Sequence, residues 1–131
     1  MANHIIKTEI ILYVKDQEVS KLFYSKLLRN DPELHVPGMT EFVISEQLKL
    51  GLMPSAGIVR LLGDSIQNPE KASGIPRCEL YFLVEDADAE CQHAVLSGAK
   101  MISSVLARDW GDKVGYVADP DGHVIAFAQK V

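Results

Sequence analysis

One pattern occurs twice in this chain, and a chain that repeats half of itself has few ways to fold. The segment Thr8-Glu9-Ile10-Ile11-Leu12-Tyr13-Val14-Lys15-Asp16 is apolar, β-prone and ends at an acid; Cys78-Glu79-Leu80-Tyr81-Phe82-Leu83-Val84-Glu85-Asp86 has the same form. Setting Glu9 on Glu79 also sets Val14 on Val84 and Asp16 on Asp86, each pair 70 residues apart. Repetition at a fixed period points to one supersecondary unit used again.

The residues after each strand strengthen the match. Val19, Leu22, Phe23 and Leu27 recur at helical spacing after Asp16, and Ala87, Cys91, Ala94 and Val95 do so after Asp86. Each Asp is placed to cap its helix, because its carboxylate can accept a free N–H of the first turn. Gly98 stands where the second helix should stop. Shorter strands are expected over Leu34–Val36, Glu41–Ser45 and Leu48–Met53 in the first half. In the second half they are expected over Met101–Leu106, Lys113–Ala118 and Val124–Ala128. Asp119-Pro120-Asp121-Gly122 reads as the turn between the last two, since Pro presets its own φ and Gly accepts a positive one. Pro54 to Arg77, with three glycines and two further prolines, reads as a long joining loop in which Val59–Ile66 makes at most a helical turn.

The bulk properties set the class. A length of 131 residues favours one domain, here two modules of about 5–54 and 77–131. A net charge of −5 leaves no basic stripe to pair with phosphates, so a nucleic-acid partner is not expected. No apolar run approaches the roughly 20 residues of a membrane span, and Met1 to Lys7 has no long apolar stretch, so a secretory signal is not expected. Cys78 and Cys91 form no C-x-x-C pair and read as reduced thiols of a cytoplasmic protein.

Three further stretches carry a family resemblance: Phe23-Tyr24-Ser25-Lys26-Leu27-Leu28 in the first helix, Trp110-Gly111, and Asp119-Pro120-Asp121-Gly122-His123-Val124-Ile125 at the end. Together with the two opening strands, and in this order, they resemble the vicinal-oxygen-chelate superfamily of glyoxalases, bleomycin-resistance proteins and extradiol dioxygenases. The resemblance spans nearly the whole chain. It implies an α+β fold in which two βαβββ modules form curved mixed sheets around a cavity, and a likeness to proteins that act as homodimers. Enzymes of the superfamily hold a divalent metal there, with ligands from the opening and last strands of each half.

On that pattern Glu9 and Glu79 fall at the opening-strand ligand positions. The last-strand positions fall on Ala126 and on Gly51, or on Leu50 or Leu52 after a one-residue slip, and none of these has a donor side chain. Two carboxylates alone make an open, weak cation site, and without a cation one of them would hold a proton. Extradiol chemistry is not expected without the two-His-one-carboxylate set. The four histidines do not supply it: His4 precedes the first strand, His35 lies in a Pro-flanked segment, His93 on a helix and His123 after the turn.

Trp110, the single tryptophan, and Tyr116 are the candidate ligand-binding aromatics, because an indole can stack on a planar ligand or hold a cation. Phe127, Met53 and Met101 are weaker wall candidates, and Arg60 and Arg77 could meet an anion. Three functions remain open. One is binding of a small molecule without the usual metal quartet, with no cofactor. Another is a divalent-metal-dependent lyase or isomerase using Glu9 and Glu79. The last is an interaction module that kept only the fold. Fold alone does not choose among them.

Overall fold

The structure is a computed structural model that describes residues 4–131. The chain divides between Lys71 and Ala72 into two compact units. In the first, the order is β1 (Thr8–Val14), α1 (Gln17–Leu28), β2 (Leu34–Val36), β3 (Met39–Ser45), β4 (Leu48–Pro54) and α2 (Ser55–Leu62). The second contains β5 (Glu79–Leu83), α3 (Ala87–Leu96), β6 (Lys100–Ala107), β7 (Asp112–Ala118) and β8 (Val124–Lys130).

Each unit carries one four-stranded mixed sheet, in the orders β1-β4-β3-β2 and β5-β8-β7-β6. The opening strand runs parallel to the last strand of its own unit, and the remaining pairs are antiparallel. The repeat read from the sequence is therefore a repeat of topology. The Asp caps form as expected: Asp16 Oδ1 accepts from the backbone N–H of Glu18 and Val19 at 3.0 Å each. Asp86 Oδ1 accepts from Ala89 N–H at 3.0 Å.

Strand alternation gives each sheet a face toward its helix and an open face. In the first unit Leu12, Val14, Phe42, Leu50 and Leu52 are buried on the helix side with Phe23, Tyr24 and Leu27 of α1. Burying each such side chain contributes about 1.5–3 kcal/mol. In the second unit Leu80, Ile125, Phe127 and Val117 are buried on the strands, and Ala87, Cys91 and Ala94 on α3.

Three sequence expectations change. The buried stripe of α1 is Ser20, Phe23, Tyr24 and Leu27, whereas Val19 and Leu22 are 50% and 51% exposed. Tyr24, amphipathic and set edge-on to Phe23 at 4.9 Å, turns the stripe by one position, and the small Ser20 lets the helix sit close. In α3, Val95 is likewise exposed. The joining segment is not a plain loop, because Ser55–Leu62 forms α2 directly after β4. Its N-terminus lacks a side-chain cap and it contains Gly57, so local signals are weak; burial of Ile58 and Ser55 holds it. Among the described residues no helix is long and apolar enough to cross a membrane.

Candidate functional site

The open face of the first sheet is built by Glu9, Ile11 and Tyr13 on β1, Lys49, Gly51 and Met53 on β4, and Met39, Glu41 and Val43 on β3. Ile11 pairs with Gly51, and in the second unit Tyr81 pairs with Ala126. Ile11 and Tyr81 are counterparts in the repeat, so the register makes Gly51 the counterpart of Ala126.

Gly51 has a specific role. A Cβ there would collide with Glu9 Oε2 and would lie 3.1 Å from Ile11 Cγ1. The missing side chain thus makes room for the Glu9 carboxyl to lie across β4 toward Glu41, which also pairs with Gly51 in register. Glu9 Oε2 is buried there with no hydrogen-bond partner. Burial pushes the Glu9 carboxyl above the usual carboxylate range, the nearby Glu41 adds to the shift, and Lys49 opposes it. Lys49 is itself drawn to Glu33 at 2.8 Å and lies 3.7 Å from Glu41. A surface depression of about 430 Å³ borders Lys49 and Glu33 but does not include Glu9.

A raised folded-state pKa of an acid favours the fold while the group is protonated. That stability is complete below the unfolded value near 4.5 and is lost as pH rises through the folded value. Glu9→Gln cannot ionise, so it is expected to match the wild type in urea unfolding below that value and to become the more stable of the two toward neutral pH. A difference that stays constant with pH would contradict this assignment.

The open face of the second sheet is built differently. Tyr81 reaches from β5 past the small Ala126 and Ala128 of β8 to donate its O–H to Asp112 Oδ2 on β7 at 2.6 Å. Trp110, in the turn before β7, donates its indole N–H to the Tyr81 oxygen at 2.8 Å. Lys130 Nζ lies 3.3 Å from Asp112 Oδ1. Asp112 is buried at 4% exposure, whereas the indole it indirectly anchors is 56% exposed. Burial and the Asp112 carboxylate hold the Tyr81 phenol above its ordinary value, and the Tyr81 hydroxyl with Lys130 holds Asp112 below the usual carboxylate range. Beside them Tyr116 packs on Val114, Ala126 and Ala128, with the Arg108 guanidinium 5.3 Å from its ring centroid.

The sequence candidates therefore separate. Glu9 joins Glu41, Trp110 joins Tyr81 and Asp112, and Tyr116 joins Arg108. Glu79 is exposed, on the same strand face as Tyr81. Phe127 lies on the helix side against Phe82 at 6.0 Å, so it is core rather than wall. Met53 is half-buried on the open face of its sheet, Met101 is exposed, and so are Arg60 and Arg77. His4 is exposed, and His93 lies on α3. His35 bridges Thr40 and Glu18 at 2.8 and 3.0 Å. Cys78 is exposed; Cys91 is buried, and burial pushes its thiol up, which suits packing rather than reactivity. Sequence reasoning missed Glu41, Arg108 and Asp112. Tyr81 had a signal, since it shares a strand face with Glu79, but nothing local marks the partners it reaches.

Asp119, Asp121 and His123 bring possible ligand atoms within 4.8 Å of one another. The Asp119 oxygens are already engaged, by Asp121 N–H, His123 N–H and His123 Nδ1 at 2.8–2.9 Å. These bonds account for the cluster as the clasp of the closing hairpin.

Paired βαβββ units with side chains gathered on the open sheet faces define a protein of the vicinal-oxygen-chelate class. Residues 7–131 match the glyoxalase-like domain family, and the chain belongs to that family. An uncharacterized protein of Mycobacterium bovis is 29% identical over 123 residues, which cover 92% of this chain and 80% of that protein. Among solved structures, a glyoxalase-related enzyme from Fulvimarina pelagi superposes with a TM-score of 0.80 at 22% identity, over 93% of this chain and 86% of that one. A glyoxalase/bleomycin resistance protein/dioxygenase from Nocardioides gives 0.78 at 16% identity, over 100% and 86%. A protein from Agrobacterium tumefaciens gives 0.74 at 27% identity, over 94% and 95%. With the first two the likeness is one of fold.

Proposed function

We propose that this chain binds a small, ring-bearing organic molecule on the open face of its second sheet, without the usual four-ligand metal centre. The observation that carries this reading is the Trp110–Tyr81–Asp112 chain. A buried carboxylate fixes a phenol, and the phenol fixes an exposed indole, so a stacking surface is held in place before a ligand arrives. The donor set supports the second half of the reading. Each unit offers one opening-strand carboxylate, Glu9 or Glu79, and its last-strand counterpart is Gly51 or Ala126. Those two positions are crossed by side chains from the opening strands, so the family metal does not fit the residues present. Homodimer formation belongs to the same proposal, and light scattering would test it against the chain mass of 14.5 kDa.

Trp110 is the only tryptophan, so its fluorescence reports this site alone. Saturable quenching by planar aromatic probes is expected in the wild type, with affinity falling about tenfold in Tyr81→Phe, a change of the size of one lost hydrogen bond. No quenching across a broad aromatic panel would refute the reading and favour an interaction module.

A divalent-metal-dependent lyase or isomerase is the second reading, favoured by the unpartnered Glu9 Oε2. Calorimetry of chelator-stripped protein with Ni²⁺, Mn²⁺ and Zn²⁺ separates the two. A tight site lost in the Glu9→Gln/Glu79→Gln double variant would establish a metal protein and overturn the metal-free reading.

A further inference from the structure

Arg108 is a cation that the second unit positions without neutralising. Its Nη2 donates to Ser103 Oγ at 3.0 Å, Val114 O at 2.8 Å and Ser104 O at 3.3 Å. These bonds and the Tyr116 ring beneath leave the guanidinium little rotational freedom. All three acceptors are neutral. Among the described residues no carboxylate lies within ion-pair distance of Arg108, although the chain carries 18 acidic residues. Nε is buried without a hydrogen-bond partner among the described residues. None of the bonds uses Nη1.

A guanidinium remains charged at every physiological pH. Holding one partly out of water beside neutral acceptors costs free energy unless an anion completes it. Surface arginines usually swing free or meet a carboxylate; this one is tied by three acceptors in the orientation that leaves Nη1 as the open end. Its position also fits the proposed ligand face. Tyr116 pairs with Ala126, and Ala126 pairs with Tyr81, so the two tyrosines stand two strands apart, about 10 Å. Tyr81 carries the Trp110 indole. A molecule with a flat ring on Trp110 could thus extend an anionic group to Arg108. Of the carboxylates close in sequence, Asp112 accepts from Tyr81 and lies 3.3 Å from Lys130, and neither it nor Asp109 forms an ion pair with Arg108.

We infer that Arg108 is an anion-receiving residue, and that the molecule bound by this protein carries a carboxylate or phosphate beside an aromatic or otherwise planar body. This rests on the small-molecule reading above and names the ligand's chemical class. The chain's net charge of −5 disfavours anions in general, so an anion preference would have to arise at a local site.

The test compares 2-naphthoate, naphthyl phosphate and the neutral isostere 2-naphthamide, using Trp110 quenching and calorimetry on the full chain. The anions are expected to bind the wild type about tenfold more tightly than the amide. In Arg108→Gln that preference should disappear, the anions losing far more affinity than the amide. Arg108→Lys, which keeps the charge and part of the hydrogen bonding, should retain a reduced preference and guards against a folding defect in the glutamine variant. Naphthoate and naphthamide binding equally to the wild type would overturn the inference and leave the small-molecule reading standing. An anion preference undiminished in both variants would also overturn it. If none of the three probes bound, this inference and the small-molecule reading would fall together.

Discussion

Replacing Gly115 with valine is expected to destabilise the protein by about 2–3 kcal/mol, near the upper end for overpacking a core position. Gly115 lies on β7, on the sheet face toward α3. A Cβ there would come to 2.6 Å from Cys91 Sγ and 2.8 Å from Val105 Cγ2, with the Val105 backbone nitrogen at 3.4 Å. Cys91 is buried and Gly115 is closed in from the helix and from β6, so no flexible side-chain end can simply turn away. The helix or the strand has to shift, and β7 is central in its sheet. Urea unfolding should show a lower midpoint at unchanged slope. Adding Cys91→Ala should restore roughly half of the loss, because it removes one of the two colliding groups. A Gly115→Val variant as stable as the wild type would show that α3 does not pack on β7 in this way.

Asp119→Ala is expected to cost about 3 kcal/mol, since it strands several donors that a buried carboxylate now accepts. The Asp119 side chain is fully buried. It receives Asp121 N–H, His123 N–H and His123 Nδ1, and so closes the turn between β7 and β8. Gly122 completes that turn at φ +90°, a value a side chain would strain, and a Cβ there would also lie 2.9 Å from the Gly74 Cα. Asp119→Asn keeps an acceptor oxygen and should lose less.

The same clasp has a pH signature. Burial of His123 favours the neutral ring, but the hydrogen bond and charge of Asp119, helped by Asp121, outweigh it and raise the imidazole's pKa. A raised folded value means that this stability is complete below the unfolded value near 6.5 and is lost as pH rises through the folded one. Thermal midpoints should therefore decline above that pH in the wild type and much less steeply in Asp119→Ala. Identical pH profiles would separate His123 from Asp119 and undo the account of the turn.

The parts of this fold that were legible in the chain are those decided within about ten residues. Asp16 and Asp86 announce helices because capping is a local bond, and Asp119-Pro120-Asp121-Gly122 announces a turn because φ preferences are local. Helix α2 was not legible. Eight residues with a glycine and no cap carry little intrinsic helicity, and their order comes from burying Ile58 within the first unit. The stripe of α1 was misread by one position for a related reason: Val19 and Tyr24 both suit an amphipathic pattern, and only the fit against the sheet selects Tyr24.

The candidate site divides along the same line. Glu9, Glu79, Trp110 and Tyr116 stood out as polar or aromatic residues at marked positions, but their partners lie on other strands. Glu41 reaches Glu9 across Gly51, Asp112 reaches Tyr81 past Ala126 and Ala128, and Arg108 lies over Tyr116. Sequence alone determined the twofold βαβββ plan, the family and the absence of donor side chains at Gly51 and Ala126, because patterning and residue identity are written along the chain. Which side chains meet on each open face was decided by tertiary structure, because strand register brings together residues tens of positions apart and no local preference encodes that pairing.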